Sequence, residues 1–188
     1  MKSTCLTDGV TVRLADLQQP ADGRTVAGLI DAYARDPMGG GTGLTAEVRQ
    51  ALPGQLARHP TAFALLAECW LYRLSGEPRW QQQAESHYQA IELLFADPLY
   101  GGFHSCFPPS ALRSQNPHMH LFEALLVAAE SFDEPRWQGR AHRLYQLFRQ
   151  RLLEPTLLRE FFDERLLPTH PDSHLIDPGH HYEWCWLL

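Results

Sequence analysis

The sequence predicts a mainly α-helical chain built from helical hairpins, and three observations carry that prediction. From Thr61 onward, apolar residues recur at helical spacing in one segment after another. A short signature, Glu77-Pro78-Arg79-Trp80, returns as Glu134-Pro135-Arg136-Trp137, 57 residues later. Asp97-Pro98 is matched at the same spacing by Glu154-Pro155. An apolar helix precedes each signature (Ala62 to Leu74; His118 to Ser131) and another follows it (Trp80 to Phe95; Trp137 to Leu153). The repeating unit is therefore an αα-hairpin followed by a short polar excursion. Hairpins of this length bury their apolar faces against neighbours, in a solenoid or a closed ring.

Taken in order, the first sixty residues have another texture and form a separate segment, 1–60, ahead of the helical part, 61–188. Val10 to Leu14 alternates like a short strand, and Thr25 to Ala34 has helical spacing. The glycine run of Asp36 to Gly43 reads as a loop, and Thr45 caps a helix that ends near His59-Pro60. Ala62 to Ala67 suits either a strand or a helix. A third hairpin opens after Asp177-Pro178-Gly179, and Trp184 to Leu188 reads as mid-helix with an uncapped, fully apolar end. Such an end predicts a covering partner, self-association, or a longer ring.

Composition removes several classes of function. The net charge is −6 over 188 residues and Lys2 is the only lysine, so no basic surface for nucleic acid is expected. No apolar run approaches the roughly 18 residues of a membrane span. The N-terminus lacks the apolar region of a signal peptide, which makes the cytoplasm the expected address. Cys5, Cys69, Cys106 and Cys185 are scattered and read as reduced, mostly buried thiols.

Two polar clusters interrupt the apolar helices. In Arg113 to Glu123, Pro117 suits a first helical turn and Asn116 suits its N-cap. Asn116, His120 and Glu123 then fall at i, i+4 and i+7, placing an amide, an imidazole and a carboxylate on one face of a greasy helix. His118 is expected on the outer side of that helix start. In Asp177 to Trp184, His180 and Glu183 are i, i+3 neighbours. Trp80 and Trp137 are expected to pack, and His87, His142, His170 and His174 to lie on the surface or in loops.

The motifs Arg113-x-Gln-Asn-Pro-His-Met-His-Leu-x-Glu-Ala-Leu-Leu, Glu160-Phe-Phe-Asp and Asp177-Pro-Gly-His-His-Tyr-Glu-Trp resemble the N-acylglucosamine 2-epimerase superfamily, in particular its mannose isomerase-like branch. The resemblance covers about residues 62 to 188. It implies part of an (α/α)6 toroid whose active site is a funnel lined by helix starts. It also implies proton transfer between neighbouring sugar carbons without a metal or other cofactor, on a small-molecule sugar such as mannose. By position, His180 matches the acid–base histidine and Glu183 the carboxylate that positions it or the substrate. Asn116 and His120 match the sugar-binding pair, with Glu123 and Arg113 as further substrate-binding candidates; Tyr182 and Trp184 match rim or packing positions. The family's second acid–base histidine would fall beyond Leu188, so little turnover is expected from this chain alone.

Residues 10 to 67, with Leu29-Ile-Asp-Ala-Tyr-Ala-Arg-Asp-Pro-Met-Gly-Gly-Gly at their centre, resemble the opening of a GNAT-type N-acetyltransferase. No later pyrophosphate-binding glycine loop follows, so no acetyl transfer is expected. Two other readings compete. One takes His118, His120, Glu123 and His180 as metal ligands of a metal-dependent sugar isomerase. The other is a non-catalytic helical-repeat module that binds a partner through its apolar end.

Overall fold

In a computed structural model, residues 4–5, 11–12, 19–35, 42–58, 62–106 and 108–188 are described. The chain forms two compact units, Met1–Pro60 and Thr61–Leu188.

In the first unit, β1 (Thr4–Cys5) pairs antiparallel with β2 (Thr11–Val12), and α1 (Pro20–Arg35) packs on α2 (Ala46–Arg58). Helix α1 starts five residues before the apolar periodicity does. Pro20 at its first position has the helical φ already set, and Asp22 complements the N-terminal end of the dipole. Asp31 ties the two helices: its carboxylate accepts from Arg35 Nε (3.0 Å) and from the Leu44 backbone N–H (2.7 Å), with Arg49 Nη1 at 3.5 Å. The Arg35 guanidinium, foremost, holds that carboxyl below its ordinary range. Thr45 caps α2 as expected, its Oγ1 accepting the Val48 N–H. Positions 10, 13 and 14 of the expected strand, most of the glycine run and His59-Pro60 lie outside the described residues.

The second unit is two helical hairpins and a further helix. Helices α3 (Ala62–Ser75) and α4 (Pro78–Phe95) make the first hairpin, and α5 (Asn116–Ser131) and α6 (Pro135–Leu147) the second. The stretch 62–67 is thus helical. Helix α3 packs on both α4 and α5, and α7 (Pro178–Leu187) adds to α5. Each hairpin turns within a few residues and re-enters its second helix on a proline, Pro78 or Pro135, which loses no helical bond at that position. The first turn closes on Gly76, whose φ of 65° is the left-handed conformation that ends helices, with its N–H on Tyr72 O.

Both signature tryptophans are buried, which explains why the sequence repeats them. Trp137 meets Phe132 and the edge of Tyr88, and Arg140 lies over both Tyr88 (3.9 Å) and Trp137 (4.4 Å). A bidentate bond to Glu85 fixes that guanidinium. The expected last turn of α6 widens into a π turn, Phe148–Leu152. Phe148 there stacks on Trp184 of α7 at 3.8 Å, and Trp184 stacks in turn on Phe122 of α5. The aromatic stack locks α7 across the second hairpin.

The polar excursions after each hairpin are ordered by arginine–carboxylate straps. After α4, a bridge joins Ala96 to Phe103, and Asp97 accepts from the backbone N–H groups of Leu99 and Tyr100. Arg113, in β3 (Arg113–Ser114), is 0% exposed. Its Nη1 binds Asp97 Oδ2 at 2.7 Å and Glu164 O, and its Nη2 binds Gly101 O and Phe103 O. Burial alone would raise the Asp97 carboxyl; the two N–H groups and Arg113 outweigh it and hold it low. Strand β3 pairs antiparallel with β4 (Phe161–Phe162), Ser114 opposite Phe161.

Of the cysteines whose side chains are described, Cys69 is buried, Cys106 half-buried and Cys185 exposed, so among these three the expectation of buried thiols holds for Cys69. Among the described residues no helix is long and apolar enough to cross a membrane.

Gly102 lies in the loop against His118, with φ of 71°. A Cβ there would lie 2.6 Å from His118 Nε2 and 2.9 Å from Leu147 Cδ2. Gly102→Ala is expected to destabilise the fold by about 2–4 kcal/mol, strain and overpacking adding. Gly139, inside α6, has open space around it, and Gly139→Ala is expected to stabilise by up to about 1 kcal/mol. Urea midpoints of the two variants check both signs.

Candidate functional site

Two helix starts converge through a chain of hydrogen bonds. Helix α5 begins on Asn116, with Gln115 and not Asn116 at the cap position; the expected side-chain cap is replaced by Ser114 Oγ, which accepts the Asn116 N–H at 3.1 Å. This substitution matters chemically, because it frees the Asn116 amide. Its Nδ2 donates to His180 Nε2 at 2.9 Å. Helix α7 is capped by Asp177, whose Oδ1 accepts the Gly179 N–H, and this presents His180 in the first turn.

The other nitrogen of His180, Nδ1, lies 2.7 Å from Glu160 Oε2, with Asp177 Oδ2 farther off at 3.7 Å. A carboxylate only accepts and an amide N–H only donates. The bonds therefore place the proton on Nδ1 and leave the Nε2 lone pair facing Asn116. Glu160 also accepts from Gln115 Nε2 (3.0 Å) and Ser114 Oγ (3.3 Å). Gln115 in turn accepts from Trp184 Nε1 at 2.8 Å. The result is a relay from amide to imidazole to carboxylate, braced by Gln115 and Trp184.

The residues singled out in the sequence are distributed unevenly around this relay. Asn116 and His180 meet directly. His120 and Glu123 form a separate pair one turn along α5, Nδ1 to Oε2 at 3.6 Å, with the imidazole against the Phe63 ring. Glu183 is exposed, and the carboxylate on His180 is Glu160 instead: three residues along a helix put Glu183 beside His180 but pointing outward. Arg113 is inside the wall, its charge committed to Asp97, and braces the α5 start from behind. Tyr182 is exposed, and Trp184 is a packing residue.

His118 corrects the expectation of an outward-facing side chain, for it is 0% exposed. It does leave the face of His120, but the face it takes is covered by the loop of Gly101 to Phe103. Nδ1 donates to Ser114 O at 3.0 Å and Nε2 accepts the Phe103 N–H at 2.9 Å. With both nitrogens on the main chain, His118 has no lone pair for a metal, which breaks the rival ligand set. Among the described residues no group of three or more His, Cys, Asp or Glu is arranged to hold a metal ion. His87, expected at the surface, is only part-exposed and pairs with the buried Glu68 at 2.7 Å.

Glu160 is the functional candidate that sequence reasoning passed over. It lies within the Glu-Phe-Phe-Asp motif, but no periodicity links residue 160 to residue 180. The available signal was a carboxylate beside two aromatic residues in a non-helical stretch.

With this geometry in view, solved structures place the fold. The D-mannose isomerase crystal structure matches 67% of this chain and 34% of its own, at a TM-score of 0.58 and 25% identity. Cellobiose 2-epimerase from Spirochaeta thermophila matches 67% of this chain and 35% of its own, at 0.58 and 23% identity. The hairpins are thus part of an (α/α)6 toroid of the sugar-epimerase type. The family model described as N-acylglucosamine 2-epimerase (GlcNAc 2-epimerase) matches residues 25–188, and the chain belongs to that family. A mannose-6-phosphate isomerase of Rhizobium meliloti is 37% identical over 134 residues, 68% of this chain and 34% of that protein. The chain spans about a third of the length of these relatives. The family match takes in most of α1 and all of α2, so the acetyltransferase likeness of residues 10–67 is not borne out.

Burial, then the nearby Arg113 charge, pushes the His118 pKa down to about 4. Its unfolded value is about 6.5. Between those limits the unfolded chain binds more protons, so stability falls as pH drops through this window, on the order of 3 kcal/mol in all. Thermal melts from pH 7 to 4 should show that slope, and His118→Gln should flatten it while lowering stability at pH 7.

Proposed function

We propose that this site performs sugar isomerisation of the aldose–ketose type, mannose to fructose or a related pair, with His180 as the acid–base group. The observation that carries the reading is the relay Asn116–His180–Glu160. Isomerisation and 2-epimerisation both begin with removal of a hydrogen next to a carbonyl, which needs a base with a free lone pair and a donor for the developing enediolate oxygen. His180 supplies the base: Glu160 holds the proton on Nδ1, so Nε2 takes the substrate's hydrogen, and the carboxylate stabilises the imidazolium that forms. Asn116 supplies the donor. Its amide donates to Nε2, and a sugar carbonyl or enediolate oxygen would replace Nε2 as the acceptor.

The relatives named for mannose 6-phosphate, mannose and cellobiose support a carbohydrate as the ligand. The arginines beside the two motifs are engaged by carboxylates, Arg113 by Asp97 and Arg159 by Glu154, which favours a free sugar over a phosphorylated one. His120 and Glu123 on the same face of α5 are assigned to sugar binding, as a hydroxyl-sized donor–acceptor pair.

The test is solvent deuterium incorporation at C2 of mannose, followed by NMR alongside calorimetry with mannose, fructose and mannose 6-phosphate. Binding of the free sugars and slow exchange at C2 are expected. His180→Asn should reduce exchange by roughly 10²–10⁴-fold, and Asn116→Ala should weaken binding. Exchange that survives His180→Asn would remove the imidazole from the reaction.

A second reading, a self-associating face on α7, is favoured by Tyr182 and Trp186, each 77% exposed and one helical turn apart. Sedimentation should show association that rises with concentration and is lost in Trp186→Glu; a monomer at all concentrations excludes it.

A further inference from the structure

One histidine device is used twice in this fold. At the start of α5, His118 Nδ1 donates to the carbonyl four residues back, Ser114 O, and Nε2 accepts the Phe103 N–H. At the start of α7, His181 Nδ1 donates to Asp177 O at 2.9 Å, again four residues back, and Nε2 accepts the Leu158 N–H at 3.0 Å. The two N–H donors occupy equivalent places. Phe103 is bridged to Ala96 and Leu158 to Leu153, and Ala96 and Leu153 are 57 residues apart, the spacing of the sequence repeat. Because a backbone N–H only donates and a carbonyl only accepts, both rings are held as the Nδ1–H tautomer by the main chain.

The two uses differ in what the pinned loop carries. Two residues beyond Phe103 is Ser105, which is exposed. Two residues beyond Leu158 is Glu160, the carboxylate on His180. Adjacent imidazoles of α7 therefore grip one short loop at two points: His181 Nε2 accepts its Leu158 N–H, and His180 Nδ1–H donates to Glu160. The remaining main-chain anchors of Glu160 lead elsewhere, its carbonyl accepting from Gln115 N and its N–H donating to Leu175 O, both at 3.1 Å. Among the described residues, the His181 bond is the one that joins this loop's main chain to the helix bearing His180.

We propose that His181 is a positioning residue: by holding the Leu158 N–H it sets the distance between Glu160 and α7 and so fixes His180 with its proton on Nδ1. The proposal rests on the reading of His180 as the acid–base group, but its test needs no sugar and stands apart from turnover. In the full chain, the His180 Nδ1–H proton is observed by ¹H–¹⁵N NMR and assigned by its loss in His180→Gln. His181→Ala is expected to speed exchange of that proton with water at least tenfold. His181→Gln, whose amide offers the Leu158 N–H an acceptor, should recover most of the protection. His181→Asn is too short to reach that N–H but keeps a polar side chain on α7, and it should speed the exchange likewise where the alanine variant fails to fold. An unchanged His180 proton in His181→Ala or His181→Asn, with only the Leu158 amide exchanging faster, would overturn the proposal.

Discussion

Glu160 receives three donors from two separate places in the chain: the Ser114 hydroxyl and Gln115 amide from one, and the His180 imidazole from the other. A carboxylate set this far from water is costly unless its oxygens are fully engaged, and here both are. The same bonds that satisfy it join the start of α5 to the start of α7. The functional geometry is thus a by-product of a solvation requirement. Removing the charge would loosen the helix starts and the imidazole together.

The supporting shell repeats one solution at two levels of burial. Each polar excursion after a hairpin is strapped by an arginine to the acidic residue of the matched Asp97-Pro98 or Glu154-Pro155 pair. The Arg113–Asp97 strap is buried, so breaking it leaves a stranded charge and costs on the order of 3–5 kcal/mol. The Arg159–Glu154 strap is partly exposed and is worth less, though Arg159 also reaches Ser173 O. The first strap holds the loop under His118; the second steadies the stretch leading to Glu160.

The helical hairpins were legible because burying one face of a helix forces apolar residues into a 3.6-residue period. The signature prolines and tryptophans repeat because each hairpin meets the same turn and the same packing problem. The acetyltransferase likeness shows the reverse case. Strand, helix, glycine loop and helix is an order shared by many folds, and a short stretch of wording carries little of the packing that distinguishes them.

By itself the sequence determined the helices, their pairing into hairpins, and the placing of Asn116 and His180 at two helix starts, since all of these follow from local periodicity and turn chemistry. Only the tertiary structure decided that the two meet, that Glu160 and not Glu183 holds the imidazole, and that His118 turns into the wall with Arg113. Those outcomes depend on contacts between residues far apart in the chain, such as 114 with 160, 116 with 180 and 103 with 118. No repeat period encodes them. They arise where helices pack and every buried polar group must find a partner.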